Sequence, residues 1–375
     1  MMPLSMPVTS FARCAKRHSL LCWIQRGGFQ LMLPLLLALA VVPARAQQEI
    51  RVGVLGLFHP RELVLEQEAG QVLSIVGQGV DGNPVLVLNG EPGHRQLVFR
   101  AEGGRVVAGS RTGAGWRVTA RGGGAVAFRL TVPGKLRRVY FGRFNIQIHN
   151  GQLLPVVSIG LETAVASIVA AEMMESAPME ALKAQAVATR SFLAAGPRHL
   201  EFDSCDTTHC QFLKSPPPVT SRVSRAVEAT RGLVIAYRDK PLAAMYSSRC
   251  GGQTYSLRDV GADPGDGYPY FGVHCAWCRQ HPFTWRSAVG TSAHSPEPRD
   301  EHRRITEARQ WGWGAIPGSD FTATKDGAGW RLEGHSVGHG VGMCQHGAAG
   351  MAVAGASFRQ ILAHFYPNTV LIAEP

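Results

Sequence analysis

The residue with the clearest chemical potential is Glu172. The stretch Thr163 to Met174 reads TAVASIVAAEMM, and Val165, Ile168, Val169 and Glu172 fall at i, i+3, i+4 and i+7, so they share one face of a predicted helix. A carboxyl group on an apolar face loses hydration, which disfavours its charged form and raises its pKa. A carboxylic acid still protonated near neutral pH serves as a general acid. The competing reading is a glutamate at the end of the stripe whose side chain reaches solvent.

A second constellation is His199, Cys205, His209 and Cys210. Two imidazoles and two thiolates are the number and type of ligand a tetrahedral Zn²⁺ takes. The spacing is not that of a common zinc finger, and a Cys205–Cys210 disulfide is the alternative. Cys275 and Cys278 form a C-x-x-C around Trp277, open to a disulfide, a redox pair or half of a metal site. No strand–helix–strand context of a thiol oxidoreductase surrounds it, which favours a structural disulfide or metal contact.

Two further segments carry polar groups. Gly334 to Gly347 reads GHSVGHGVGMCQHG; its glycines permit unusual backbone angles, and His335, His339, Gln345 and His346 can hydrogen-bond sugar hydroxyls. It lacks the Lys-Ser/Thr ending of a phosphate loop, and a plain glycine-rich turn is the alternative. Tyr246-Ser247-Ser248-Arg249-Cys250-Gly251-Gly252 ends a predicted strand and can bring hydroxyls to a cleft rim. Neither serine has a visible base and orienting partner, so serine nucleophilic catalysis is not expected.

The elements that must hold these residues are legible in outline. Short predicted strands run from 49 to about 135 (Ile50–Leu57, Val85–Leu88, Gln96–Phe99, Trp116–Thr119, Ala125–Val132), separated by turns such as Asp81-Gly82-Asn83-Pro84 and Gly122-Gly123-Gly124. Tyr140–Ile148 and Gly151–Ile159 predict a hairpin over Asn150-Gly151. The helix carrying Glu172 follows. A second, Ala-rich helix spans Met179 to Leu193, with Ser176 and Pro178 before it and Glu180 at its positive end. A helix over Ser221–Thr230, a hairpin pairing Leu233–Tyr237 with Leu242–Tyr246, a loop-like stretch from Cys250 to Pro282 and a final helix capped by Ser357 and stopped by Pro367 complete the outline.

Composition bounds the class. Of 375 residues, 45% are hydrophobic and 17% charged, with 43 glycines and 23 prolines, which fits a packed chain of about two domains with many turns. Residues 1–46 read as a signal peptide: Arg13, Lys16, Arg17 and Arg26, then the apolar run Leu31–Val42, then Ala44-Arg45-Ala46. The run is short for a membrane span, an uncleaved anchor being the alternative. No stable span is expected after cleavage, and the protein is expected to be exported to the periplasm or the cell exterior. Removing the leader takes the net charge from +11 to +6, a mild bias compatible with a polyanion but without the basic arm of a nucleic-acid binder.

Taken together, AAEMMESAPMEALKAQAVATRSFL, FDSCDTTHCQ, AAMYSSRCGGQT, GHGVGMCQHGAAGMA and ILAHFYPNT resemble, in order and from about 140 to 372, the SpoIID/LytB family of peptidoglycan lytic transglycosylases. The resemblance implies cleavage of MurNAc–GlcNAc bonds of glycan strands, including strands stripped of stem peptides, to 1,6-anhydro-MurNAc ends. It implies Glu172 as general acid/base and a structural zinc on His199, Cys205, His209 and Cys210, with no organic cofactor. Ser247, Ser248, His339 and Gln345 are the expected substrate contacts or supports. Four departures stand out: Met174 replaces a proline, Ala177 a tryptophan, Cys344 a serine and His346 a tyrosine of the family pattern. The expected fold is α+β, with a β-rich accessory domain over 47–139 and a mixed α/β catalytic domain with a substrate cleft over 140–375. The rival functions are a non-catalytic peptidoglycan-binding protein or modifier of a cell-wall amidase, and a zinc-dependent hydrolase.

Overall fold

The computed structural model describes residues 48–374 apart from 78–85, 90, 92, 94, 266, 291–295 and 313. The expected leader and the Asp81–Pro84 turn lie outside the described residues. No described helix is long and apolar enough to cross a membrane. The described residues fall in one compact unit, Ala46–Pro375, and its fold is α+β.

The sheet is built around one long strand, Leu136–His149. Its first half, Leu136–Gly142, pairs antiparallel with Val126–Val132, and its second half, Phe144–Gln147, with Gly115–Ala120 on the same edge. The change of partner falls at Gly142, where φ is 149° and a Cβ would stand 2.5 Å from the Ser158 carbonyl oxygen, so only glycine fits. Asn150 and Gly151, both at positive φ, turn the strand back into Gln152–Gly160 with His149 opposite Gln152, the two-residue hairpin its Asn-Gly predicts. The position expected for a domain boundary, 139/140, lies inside this strand. The ladder ties residues on both sides of it together, and a single hydrophobic core holds Leu63, Phe99, Trp116, Phe128 and Phe144 along with Val165, Ile168 and Leu182.

The strand Glu49–Gly53 lies on the far side of Gln152–Gly160 and pairs in parallel with Ser204–Cys205. The expected strand to Leu57 ends early, because Leu55 is left-handed (φ 60°) and opens a 3₁₀ turn, Gly56–Phe58.

Helix α1, Leu161–Glu172, buries Leu161, Ala164, Val165, Ile168 and Val169. Helix α2, Met179–Ala194, is central: it packs on α1, on α3 (Arg222–Glu228, capped by Ser221), on the strand Leu233–Tyr237, and on two later helices, Gln345–Val353 and Phe358–Phe365. Ala184 and Ala188 are fully buried, the small side chains that such close packing needs. After α3 in sequence come α4, Ala276–Gln280, and α5, Glu301–Trp311. Then follow α6, Gln345–Val353, and α7, Phe358–Phe365, whose capping box is Ser357 with Gln360.

The second core gathers Ala184, Val187, Tyr255, Tyr270, Val341, Ala348 and Tyr366 around four cysteines. A third, small cluster under Trp285–Val289 and the hairpin Phe321–Asp326/Gly329–Gly334 covers chain for which the sequence offered no assignment. Two expectations change here. Leu233–Tyr237 pairs with Lys240–Pro241 and with Val370–Ala373, whereas Tyr246–Ser247 leaves to pair in parallel with Met343–Cys344. Arg238 and Asp239, both at positive φ, make so tight a turn that Lys240 already sits opposite Tyr237.

Candidate functional site

Glu172 is the last residue of α1, half-buried, and its backbone gives way at once to an extended Met173 (φ −128°, ψ 149°). Burial pushes its carboxyl pKa up, against smaller opposing effects of the Phe212 N–H and the Lys214 ammonium. The Phe212 N–H donates to Oε1 at 3.1 Å. The negative end of the helix dipole acts in the same direction as burial.

The carbonyl of Glu172 is one of the four a helix C-terminus leaves unpaired. Gln345 satisfies it: Nε2 donates to the Glu172 carbonyl oxygen at 3.3 Å and to Gln185 Oε1 at 3.3 Å, and Gln185 Nε2 in turn donates to Thr189 Oγ1 at 3.3 Å. Gln345 and Gln185 are buried, so a chain of amides fixes the end of α1 against α2 and the start of α6. Glu175 is exposed and turned away; its carboxylate accepts from the Arg222 N–H at the start of α3 (3.1 Å).

Tyr246 was not singled out by sequence reasoning. Its hydroxyl is buried without a hydrogen-bond partner, and burial, reinforced by the charge of Glu172, holds its pKa well above the phenol range. It is therefore a neutral hydroxyl close to Glu172. His339 lies on the glycine-rich segment; its Nδ1 accepts from the Val341 N–H at 3.1 Å, and burial lowers its pKa, so the ring is neutral at pH 7. Ser247 is buried, its hydroxyl unpartnered. Ser248 faces the start of α6 through its carbonyl, which accepts from the His346 N–H at 3.1 Å. Gln211 also went unnoticed: it is 3% exposed and neither amide atom has a partner. The signal for both missed residues lay in their motifs, AAMYSS and THCQ.

The ligand-type atoms of His199, Cys205, His209 and Cys210 lie within 4.8 Å of one another. His199 Nε2 is 3.3 Å from Cys210 Sγ, and His209 Nδ1 is 3.5 Å from Cys210 Sγ and 3.8 Å from Cys205 Sγ. With Zn–S near 2.3 Å and Zn–N near 2.0 Å, the N···S edge of a tetrahedron is about 3.5 Å, so the donor set fits a zinc ion. Both cysteines are free thiols, and a hydrogen bond from Cys210 leads the effects that bring Cys205 down to about 4. The loop is anchored by Asp206, which accepts from Tyr140 Oη (2.8 Å), Arg138 Nη1 (3.1 Å) and the Leu55 N–H (3.2 Å). Thus the β-rich N-terminal half holds the loop whose end, Phe212, holds Glu172.

Three concavities among the described residues measure about 1030, 540 and 320 Å³. The largest is lined by Arg198, His209, Tyr237, Tyr268 and Tyr270, and the smallest by Asp206, Thr207 and Phe212. Glu172 lines none of these three; Phe212 and Gln345 contact it directly.

Residues 149–237 match the family described as Stage II sporulation protein, SpoIID. An uncharacterized protein of Brachyspira hyodysenteriae is 29% identical over 63% of this chain and 72% of its own length. Stage II sporulation protein D of Bacillus amyloliquefaciens is 27% identical (56% of this chain, 74% of that protein), and that of Bacillus subtilis 26% (57% and 75%).

Proposed function

We propose that this chain, which carries a SpoIID domain match over residues 149–237 and is homologous to Stage II sporulation protein D, is a peptidoglycan lytic transglycosylase with Glu172 as general acid and base. The observation that carries the reading is the half-buried carboxyl at the end of α1, its pKa raised by burial and its position fixed from both sides. Protonated Glu172 donates to the glycosidic oxygen between MurNAc and GlcNAc, and the bond to C1 breaks. The C6 hydroxyl of the same MurNAc closes on C1, and the Glu172 carboxylate takes its proton. The proton balance returns to its start, the product end is 1,6-anhydro-MurNAc, and no second catalytic carboxylate is required, unlike in most glycoside hydrolases. The neutral hydroxyl of Tyr246 lies near enough to Glu172 for the two groups to interact electrostatically.

His199, Cys205, His209 and Cys210 are the residues that would hold zinc. Four protein ligands close the tetrahedron and leave no position for water, so the ion's part is to fix the loop that presents Phe212. Export by the leader would bring the protein to its glycan.

A second reading, a glycan-binding protein or a modifier of a cell-wall amidase, draws support from Met174 and Ala177, which depart from the family pattern beside Glu172. One digest separates the two. Purified glycan strands, with and without stem peptides, are treated with wild type and Glu172→Gln, and ends are scored by mass spectrometry. Anhydro ends from wild type, reduced about 10²-fold or more in the folded variant, are expected. Reducing ends would indicate hydrolysis, and binding without cleavage would sink the enzymatic reading.

A further inference from the structure

Cys250, Cys275, Cys278 and Cys344 are brought together in the second core. All four are free thiols, 3% exposed or less, and their sulfurs lie within 4.8 Å of one another. We propose that they form a second metal centre, a four-thiolate site for a single Zn²⁺ ion.

Distance, number and donor type all support this. A ZnS₄ tetrahedron with Zn–S near 2.3 Å has S···S edges of about 3.8 Å; Cys278 Sγ and Cys344 Sγ are 3.6 Å apart. A disulfide requires about 2.05 Å. An iron–sulfur cube places iron and sulfide between its cysteines and spreads their sulfurs wider than this group allows. All-sulfur ligation selects a soft ion and closes the site to water.

The surroundings are built for such a centre. The Gly347 N–H donates to Cys344 Sγ at 3.3 Å, the kind of hydrogen bond that supports a thiolate ligand. A Cβ on Gly347 would stand 2.5 Å from Cys275 Sγ, and one on Gly252 2.9 Å from Arg279 Cγ, so glycine is what lets the segments close on the cysteines. Binding Zn²⁺ displaces four thiol protons and leaves a net charge of −2; Arg249 and Arg279, each one residue from a ligand, supply charge of the opposite sign. Cys344 is also one of the departures from the family pattern noted in the sequence, and this role accounts for it. The proposal is independent of the glycan chemistry.

The test is metal analysis with alkylation of the protein purified anaerobically. Cys278→Ser and Cys344→Ser should each hold one zinc equivalent fewer than wild type, and the double variant His209→Ala/Cys210→Ser should retain the four-cysteine ion. Because core variants can fail to fold, the double variant is also loaded with Co²⁺. The absorption bands of a four-sulfur Co²⁺ site are expected, and they need no change in the second core. Four cysteines that resist alkylation until reduced would mean two disulfides and overturn the proposal. So would iron with inorganic sulfide, or a folded double variant that binds no metal.

Discussion

The two cysteine clusters differ in how the chain assembles them. His199, Cys205, His209 and Cys210 come from one twelve-residue stretch, partly exposed, on a loop whose Ser204–Cys205 pairs with the strand Glu49–Gly53. Cys250, Cys275, Cys278 and Cys344 come from three separated segments and are buried throughout. Yet each cluster ends one or two residues before a contact to Glu172: Phe212 follows Cys210, and Gln345 follows Cys344. One cluster presents a donor to the carboxylate and the other a donor to the carbonyl of the same residue. A short-range site needs only its own loop to form; a long-range site must wait for the fold and then locks it.

That difference sets the order of the expected effects. Zinc binding that closes long loops constrains the unfolded chain more than binding within twelve residues. Cys278→Ser should therefore lower the thermal midpoint well beyond Cys210→Ser, and should release the second core, seen as lost near-ultraviolet circular dichroism. Equal midpoints for the two variants would remove the distinction drawn here.

Arg190 offers a metal-free yardstick. It is fully buried, makes a bidentate pair with Glu162 (2.9 and 2.7 Å), and donates to the Leu233 carbonyl at 3.1 Å. Arg190→Ala leaves the largely buried Glu162 carboxylate without its cation, with only the Gly232 N–H among the described residues still donating to it, and should cost about 3–5 kcal/mol in urea unfolding. A loss below about 1 kcal/mol would show the pair to be solvated.

Gln345→Ala tests the carbonyl-side support. Losing one hydrogen bond of about 1 kcal/mol at the end of α1 should lower kcat roughly 5-fold with KM unchanged. A change confined to KM would make Gln345 a substrate contact and not a positioning residue.

The smallest effect concerns protons. Because burial raises the Glu172 pKa, the folded state favours the protonated form. The stability tied to that protonation is fully present below the pKa of an exposed glutamate and is lost as pH rises through the raised value. Activity as a general acid should fall over the same upper range. Glu172→Gln should then melt no lower than wild type at neutral pH. Lys214→Ala, which removes a cation that lowers this pKa, should move the activity limb to higher pH; a move to lower pH would contradict the assignment.

Much of this was legible beforehand where the signal is local. The Asn150-Gly151 hairpin, the Ser221 and Ser357 caps and the apolar stripe ending in Glu172 depend on residues within a turn or two of each other. The α+β character followed from the same periodicities. The segment from 283 to 333 gave no such signal, since its strands are short and its helix α5 is rich in charge and ion-paired along its length. The expected boundary at 139/140 falls within the strand Leu136–His149, which is hydrogen-bonded on both sides of that position.

By itself the sequence determined the ligand types, the helix that ends in a carboxylate and the loop that gathers two histidines with two cysteines, because spacing within a helix or loop fixes distance directly. It did not determine that Tyr246 stands beside Glu172, that Gln345 closes the end of α1, or that Cys250 and Cys344 meet the C-x-x-C pair. Those contacts join residues far apart in the chain, and only packing α6 on α2 and pairing Tyr246–Ser247 with Met343–Cys344 brings them within reach.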